Sequence, residues 1–192
     1  MTTPAPAPAQ LWLLHHVDRV CRRHLDALLL DIGEHIGVAT ADAVVIRRLS
    51  ADARTLLPVV AYHPDPVRGA AVARGAAGRD ESATGGLWHR ALVERRPLRW
   101  HITPGEVPDG ALPDQARFLD EWAVRAALAV PLFVDGSPVG GLGLIRFGVD
   151  RPFGDDEERL LDSCGHRVAE LLALRRRLPE PDEWTPGPAG PP

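Results

Sequence analysis

The aromatic side chains of this 192-residue sequence are skewed towards tryptophan, with five Trp against one Tyr and four Phe. Several of them fall in the middle of the chain, where their flat apolar rings are suited to forming the walls of a pocket. The same rings also suit a buried core, and the sequence leaves both interpretations open. The aromatic candidates for a ligand pocket are Tyr62, Trp88, Trp100, Phe118 and Trp122.

Eight histidines raise the question of a metal or haem site, because neutral imidazole is a common ligand for both. His89 and His101 flank the tryptophan-rich segments, so either could be an axial haem ligand or a polar anchor for an anionic ligand. A solvated or core histidine is the alternative for both. His15 and His16 are adjacent and lack the Cys or carboxylate partners of a zinc pattern, so we predict no metal site.

Two arginines, Arg99 and Arg125, could hold a carboxylate or phosphate through two parallel hydrogen bonds if they point inward. The glycine run of residues 140–143 lacks the helix and lysine that must follow in a phosphate loop, so close packing of helix on sheet explains it better. Both cysteines, Cys21 and Cys164, lie in predicted helices far from the middle segments.

The charge balance argues against two classes of partner. The formal net charge is -4, from 22 basic and 26 acidic residues, and no long basic run occurs. We therefore expect neither nucleic acid nor an anionic membrane as a partner. Residues 1–10 are a Pro/Ala leader without the features of a signal peptide or anchor, which predicts a disordered start and a cytoplasmic protein.

The first elements read from the sequence are a helix and a hairpin. Apolar residues from Leu11 onward recur at helical spacing, and the helix is predicted to end near Gly33. Residues 43–49 and 55–62 follow as two strands joined by a polar turn. Pro58 cannot donate to a sheet ladder, so the second strand should lie at an edge or carry a bulge there.

The middle of the chain predicts short helices and loops, and its end predicts a hairpin and a long helix. The Asp135-Gly136 turn suits a tight hairpin, while acidic residues before and arginines after the final apolar run suit the two ends of a helix. Residues 179–192 should form a disordered Pro-rich tail. The remaining predicted elements are helices at 67–73, 85–95, 114–122 and 155–177, and strands at 98–102, 126–134 and 139–147.

This order predicts an α+β fold with an antiparallel sheet. The first and last helices would cover one face of the sheet, and the loop-rich middle would cover the other. Residues 11–178 are long enough for one buried core and too short for two ordinary domains. We therefore predict one domain.

The carboxyl half resembles a known family. The run VPLFVDGSPVGGLGLIRF at 130–147, followed by FGDDEERLLDSCGHRVAELL at 153–172, is similar to the closing hairpin and final helix of GAF domains. GGLWHRALVERRPLRW at 85–100 looks like the central helix of that family and the strand after it. The matching positions at the end of the chain are Pro131, Leu132, Gly136, Val139, Gly140, Phe153, Glu157, Leu160, Leu161 and Ala169.

The resemblance implies a GAF/PAS-like fold over residues 11–178 and a sensory or regulatory module. Its ligand would be a small molecule held on the sheet face opposite the terminal helices, in the region from 62 to 125. The terminal helices would form a homodimer, and output would pass through a separate protein. The resemblance leaves the ligand and any cofactor unidentified.

Two alternatives stay open beside the regulatory module. One is a GAF protein carrying haem or another cofactor, with redox or enzymatic activity, and the other is a partner-binding scaffold with a filled pocket. Reduction of free methionine sulfoxide by a GAF-type enzyme needs thiols in the pocket region, and none lies between Cys21 and Cys164. We expect a binding protein rather than an enzyme.

Overall fold

The computed structural model describes residues 8–75 and 79–178, in which five helices surround one six-stranded antiparallel sheet. The sheet order is β3-β2-β1-β6-β5-β4. The helices are α1 (Pro8–Thr40), α2 (Pro66–Arg74), α3 (Gly86–Glu94), α4 (Pro113–Glu121) and α5 (Asp155–Arg176). The strands are β1 (Ala43–Leu49), β2 (Thr55–Tyr62), β3 (Glu81–Ser82), β4 (Leu98–His101), β5 (Val124–Val134) and β6 (Ser137–Phe147).

Two hairpins build most of the sheet, as predicted. β5 and β6 are joined by Asp135 and Gly136, whose φ angles of 49° and 75° are the positive values that a tight hairpin turn requires. In the other hairpin the register against β1 shifts between Pro58 and Val60, where Val59 is the extra residue of a bulge. Of the two outcomes predicted at Pro58, an edge position or a bulge, the structure has the bulge.

One face of the sheet, which we call the helix face, packs against α1 and α5. Its core is largely Leu, Ile and Val, including Leu29, Leu144 and Leu172. Gly140 of β6 allows α5 to approach closely, since a Cβ there would lie 2.9 Å from Cδ1 of Leu172 and 2.1 Å from the Arg47 carbonyl oxygen. The prediction of two terminal helices on one face is confirmed.

The helix face also buries an arginine with a complete set of partners. Arg146 Nε and Nη2 donate to the two Asp42 carboxylate oxygens at 2.9 and 2.5 Å. Its Nη1 donates to the carbonyls of Arg151 and Pro152, and Nη2 also reaches Glu157 at 3.3 Å. These bonds tie the start of β1 and the end of β6 to the beginning of α5.

The opposite face, which we call the cavity face, is covered by α2, α3 and α4. Its core is richer in aromatic and small residues, with Trp88, Phe147 and Ala91 buried and further rings partly buried around them. The predicted loop-rich cover is therefore confirmed as three short helices with connecting segments. β3, a two-residue strand beside β2, was not predicted.

The first helix departs from the prediction at both ends. It begins at Pro8, three residues before Leu11, and continues through Gly33 to Thr40. Gly33 is therefore inside the helix, where it packs closely on the sheet: a Cβ there would lie 2.7 Å from Cγ1 of Val60. The rest of the predicted leader and the predicted tail at 179–192 lie outside the described residues. Across the described chain, no helix is both long enough and apolar enough to span a membrane.

Candidate functional site

A cavity of about 600 Å³ lies between the cavity face of the sheet and the segments above it. This volume is in the range of sites that hold small organic molecules. β1, β4, β5 and β6 provide its floor, while the end of α2, β3, α3 and α4 provide its walls. The cavity is therefore where the resemblance places a ligand.

The floor is shaped by glycines that admit one indole ring. Trp88 from α3 lies across β6, where a Cβ at Gly141 would lie 2.3 Å from the Trp88 ring and a Cβ at Gly143 would lie 3.1 Å from it. The glycine run thus serves close packing, as predicted, on both faces of β6. Ala127 and Ala129 of β5 are the small neighbours that keep the floor low beside this ring.

Arg47 of β1 is the most deeply buried polar residue of the cavity wall. Only 1% of its surface is exposed, and its pKa is lowered by burial, with Glu81 acting in the opposite direction. Nη1 donates to the carbonyls of Leu56 and Arg79 at 3.1 and 3.0 Å, and Nη2 to Glu81 at 2.7 Å. Its Nε is buried and has no hydrogen-bond partner among the described residues.

Glu81 and Gln115 extend this arrangement across the cavity wall. Glu81 accepts from Arg47 through one carboxylate oxygen and from Gln115 Nε2 through the other, at 2.8 Å. Gln115 Oε1 accepts from the backbone N–H of Leu87 at 3.2 Å, close to the start of α3, and from that of Leu112. The chain of bonds joins β1, β3, α4 and the start of α3, so it holds the walls at a fixed separation.

Further charged residues lie nearer the cavity opening. Asp114 pairs with Arg79 at 3.2 Å and with Arg117 at 3.7 Å. The Arg74 guanidinium lies 6.0 Å from the centre of the Trp122 ring, which is within cation–π range. The outer wall is therefore polar, and much of its charge is already paired.

Four of the eight predicted site residues line the cavity: Trp88, Trp100, Phe118 and Trp122. Trp88 is buried, while the other three are half-buried and face the open volume. Phe118 also packs tightly on α2, since a Cβ at Gly75 would lie 2.2 Å from its ring. The structure brings the predicted aromatic set together, apart from Tyr62.

Tyr62 does not share that surface and lies on the helix face. Its ring packs on α1, where a Cβ at Gly37 would lie 2.7 Å from Cδ1 of Tyr62. In a regular strand, Tyr62 would share the face of Leu56, which belongs to the cavity-face core. The bulge at Pro58 reverses this alternation, so the expected position of Tyr62 is corrected.

The two candidate haem ligands also lie outside the cavity lining. The Nδ1 atom of His89 is 3.0 Å from the Ala83 carbonyl oxygen, within hydrogen-bond distance. His101 is exposed, and its Nε2 is 2.6 Å from an Asp150 carboxylate oxygen. Neighbouring side chains of a strand point to opposite faces, and in β4 it is Trp100 that faces the cavity. The residues do not fit an axial haem site in this cavity.

Arg125, Arg99 and the two cysteines are also placed elsewhere. Arg125 borders a separate cavity of about 290 Å³. Arg99 donates to Asp155 and Glu158 of α5 on the helix side of β4. Cys21 is exposed on α1, and burial raises the pKa of the Cys164 thiol on α5, which disfavours the reactive thiolate.

The predicted site residues do not include Arg47, Glu81 and Gln115. A signal for Arg47 was available, since it interrupts an apolar alternation that continues from Val45 to Leu49. A charged residue at a position that the pattern predicts to be buried needs partners or a function. Nothing in the local sequence pairs it with Glu81, which lies in a segment predicted as a loop.

Comparison with known proteins decides the family. The family model described as the GAF domain matches residues 22–172, which is most of the chain. The chain belongs to the GAF domain family. GAF domains are sensory or regulatory ligand-binding modules. A cavity of the size found here is what such a module needs to hold a small molecule.

Solved structures agree on the GAF fold at low sequence identity. The GAF domain of an Acinetobacter phosphoenolpyruvate-protein phosphotransferase has a TM-score of 0.64 at 15% identity, covering 92% of this chain and all of that one. A GAF domain/HD domain protein from Geobacter sulfurreducens has a TM-score of 0.59 at 18% identity, covering 85% of this chain and 95% of that one.

An enzyme is among the similar structures. Type II free methionine-R-sulfoxide reductase from Thermoplasma acidophilum has a TM-score of 0.56 at 14% identity, covering 80% of this chain and 96% of that one. At such identities the likeness concerns the fold alone. A search of curated proteins found no match to this chain.

Proposed function

We propose that this GAF domain is a cytoplasmic sensory or regulatory module that binds a small organic molecule in the aromatic cavity. The observation that carries the proposal is the open volume of about 600 Å³ between Trp88, Trp100, Phe118 and Trp122. A face that served stability alone would close over these rings, because interiors pack to high density. The haem alternative has no comparable support, since neither His89 nor His101 lines the volume.

Signal output in this proposal passes through a homodimer and a separate partner protein. The support is the exposed apolar surface at the beginning of α1, where Trp12, Leu13, Leu14 and Val17 are each about half exposed. Exposed apolar side chains that recur along one helix are typical of an interaction surface. Binding on the cavity face would change the packing of α1 only if the sheet between them moves.

Native mass spectrometry of the freshly purified chain tests both parts, because it gives the bound mass and the subunit number together. We expect a dimer that carries, or takes up from a metabolite extract, a non-covalent molecule of a few hundred daltons. Ala127→Leu, which fills the cavity from its floor, should abolish the bound mass and leave the dimer intact.

A second variant separates the dimer from the ligand site. Leu13→Asp should give a monomer that still binds the molecule, because it places a charge on the exposed apolar surface of α1 and leaves the cavity unchanged. A wild-type monomer that takes up no molecule from the extract would contradict the proposal.

A further inference from the structure

Resting on the proposed function, we infer that the ligand is a planar aromatic molecule without net charge. Two independent features of the cavity carry this inference. They are its ring-lined walls and its balanced charges.

The walls favour a flat ligand. Trp100 reaches the cavity from β4, Phe118 from α4 and Trp122 from the residue that follows α4, so the rings approach from different directions. Trp88 closes the floor over the glycines of β6. Aromatic rings pair by offset stacking or edge-to-face contact, which a planar ring satisfies better than a saturated ring of equal volume.

The charges favour a neutral ligand. Among the described lining residues, four arginines face four carboxylates, so the formal charge of the lining is zero. The deepest pair, Arg47 and Glu81, is joined at 2.7 Å, and Asp114 lies within 4 Å of two guanidinium groups. A charged ligand loses its hydration when it leaves water. The cavity lining has no net opposite charge to compensate for that loss, so the transfer would be costly. The lining residues of either sign are Arg47, Arg74, Arg79, Arg117, Asp80, Glu81, Asp114 and Glu121.

Isothermal titration calorimetry of the full chain with four probes tests both features. The reference probe is 2-naphthamide, which is planar and neutral. Two probes keep the planar ring and carry a charge: 2-naphthoate is anionic and 2-naphthylmethylammonium is cationic. The fourth, decahydronaphthalene-2-carboxamide, keeps the neutral amide on a saturated ring. We expect 2-naphthamide to bind about tenfold or more tightly than each of the other three.

Tryptophan variants locate the binding. Trp100→Leu should remove most of the preference for 2-naphthamide over its saturated analogue, because it removes a ring from the cavity wall. Trp12→Leu is the matched control, since Trp12 is exposed on α1 and does not line the cavity. It should preserve the preference.

Equal or tighter binding of a charged or saturated probe would overturn the assigned ligand class and leave the small-molecule site standing. Unchanged selectivity in Trp100→Leu would likewise overturn it. Binding of no probe would also overturn it, and the mass measurement alone would then decide the proposed function.

Discussion

Two buried arginines on neighbouring strands show how the faces of the sheet differ. Arg146 of β6 lies on the helix face, and its guanidinium is bonded to Asp42, Glu157 and two backbone carbonyls. Arg47 of β1 lies on the cavity face and keeps Nε without a partner among the described residues. The Arg146 guanidinium is thus enclosed by bonded groups, while the Arg47 side chain borders an open volume.

The side chains around each arginine follow the same division. Aliphatic residues interlock on the helix face, where β6 approaches α5 at Gly140. On the cavity face, partly buried rings border an open volume instead of filling it. Stability should therefore depend mainly on the first face and binding on the second.

The largest contrast is expected from neutralising the partner of each arginine. Asp42→Asn should lower the free energy of unfolding by about 3 kcal/mol, because it removes the closer of the two carboxylates that balance the enclosed Arg146 charge. Glu81→Gln should cost only about 1 kcal/mol, because 17% of the Glu81 side chain is exposed and water can enter beside it. Urea denaturation of both variants measures the difference.

Equal losses in Asp42→Asn and Glu81→Gln would break this comparison, since they would show that the cavity face is as closed to water as the helix face. A matched slope of free energy against urea concentration is the control. It would show that both variants unfold from a comparably compact state.

Adjacent alanines of β5 provide the next contrast, because they point to opposite faces. Ala126→Leu enlarges a residue in the filled core and should cost about 1–3 kcal/mol. Ala127→Leu enlarges a residue that lines the cavity and should stay within about 0.5 kcal/mol of wild type. Thermal melts and probe titration compare them, with loss of binding expected only for Ala127→Leu among stably folded variants. A reversed order of stability would contradict the assignment of the faces.

Acid is expected to destabilise the helix face through protonation of Glu157. Burial acts to raise the pKa of this carboxyl, but hydrogen bonds from the backbone, including Gly154, and from Arg151 and Arg146 outweigh it and lower the pKa from 4.5 to about 2. Because the folded-state pKa is the lower one, the contribution of Glu157 is complete above about 4.5 and is lost as the pH falls towards 2.

Glu157→Gln should therefore cost about 1 kcal/mol at pH 7 and progressively less as the pH falls from 4.5 to about 2. Urea unfolding across that range measures the convergence of the variant and wild type. A difference that stays constant with pH would show that the Glu157 charge does not support this face.

The smallest effect is expected at His101. His101→Gln should change stability by less than about 0.5 kcal/mol, because its contact with Asp150 is exposed. It should leave probe affinity unchanged, because His101 does not line the cavity. Differential scanning calorimetry of the variant measures its stability, and isothermal titration calorimetry measures its probe affinity. Loss of binding would show that the cavity extends past the edge strand.

Local patterns predicted most of the framework because its elements are locally encoded. Alternating or continuous apolar residues marked both hairpins, and the Asp135-Gly136 turn fixed the second of them. Charges at the two ends marked α5, where Asp155 follows the cap and Arg175 lies in the last turn. Trp88, Trp100, Phe118 and Trp122 converge because the elements that carry them were predicted in the right order.

The errors arose where one strand or helix meets another. Gly33 has the sequence appearance of a helix end, but α1 continues past it, and the close contact with Val60 accounts for a glycine there. Tyr62 changed faces because a single bulge at Pro58 inverts all later positions of β2. The bond between Arg47 and Glu81 spans 34 positions of the chain, so no short pattern reveals it.

The long first helix is packed on β2 at Gly33 and extends well beyond the sheet to its exposed beginning. From Gly33 to Trp12 the helix extends about 30 Å, so a tilt of the whole helix by about 5° relative to β2 would carry Trp12 through about 3 Å. β2 is hydrogen-bonded to β1, the strand that presents Arg47 to the cavity. A small rotation of this edge of the sheet is therefore geometrically magnified at the exposed end of α1.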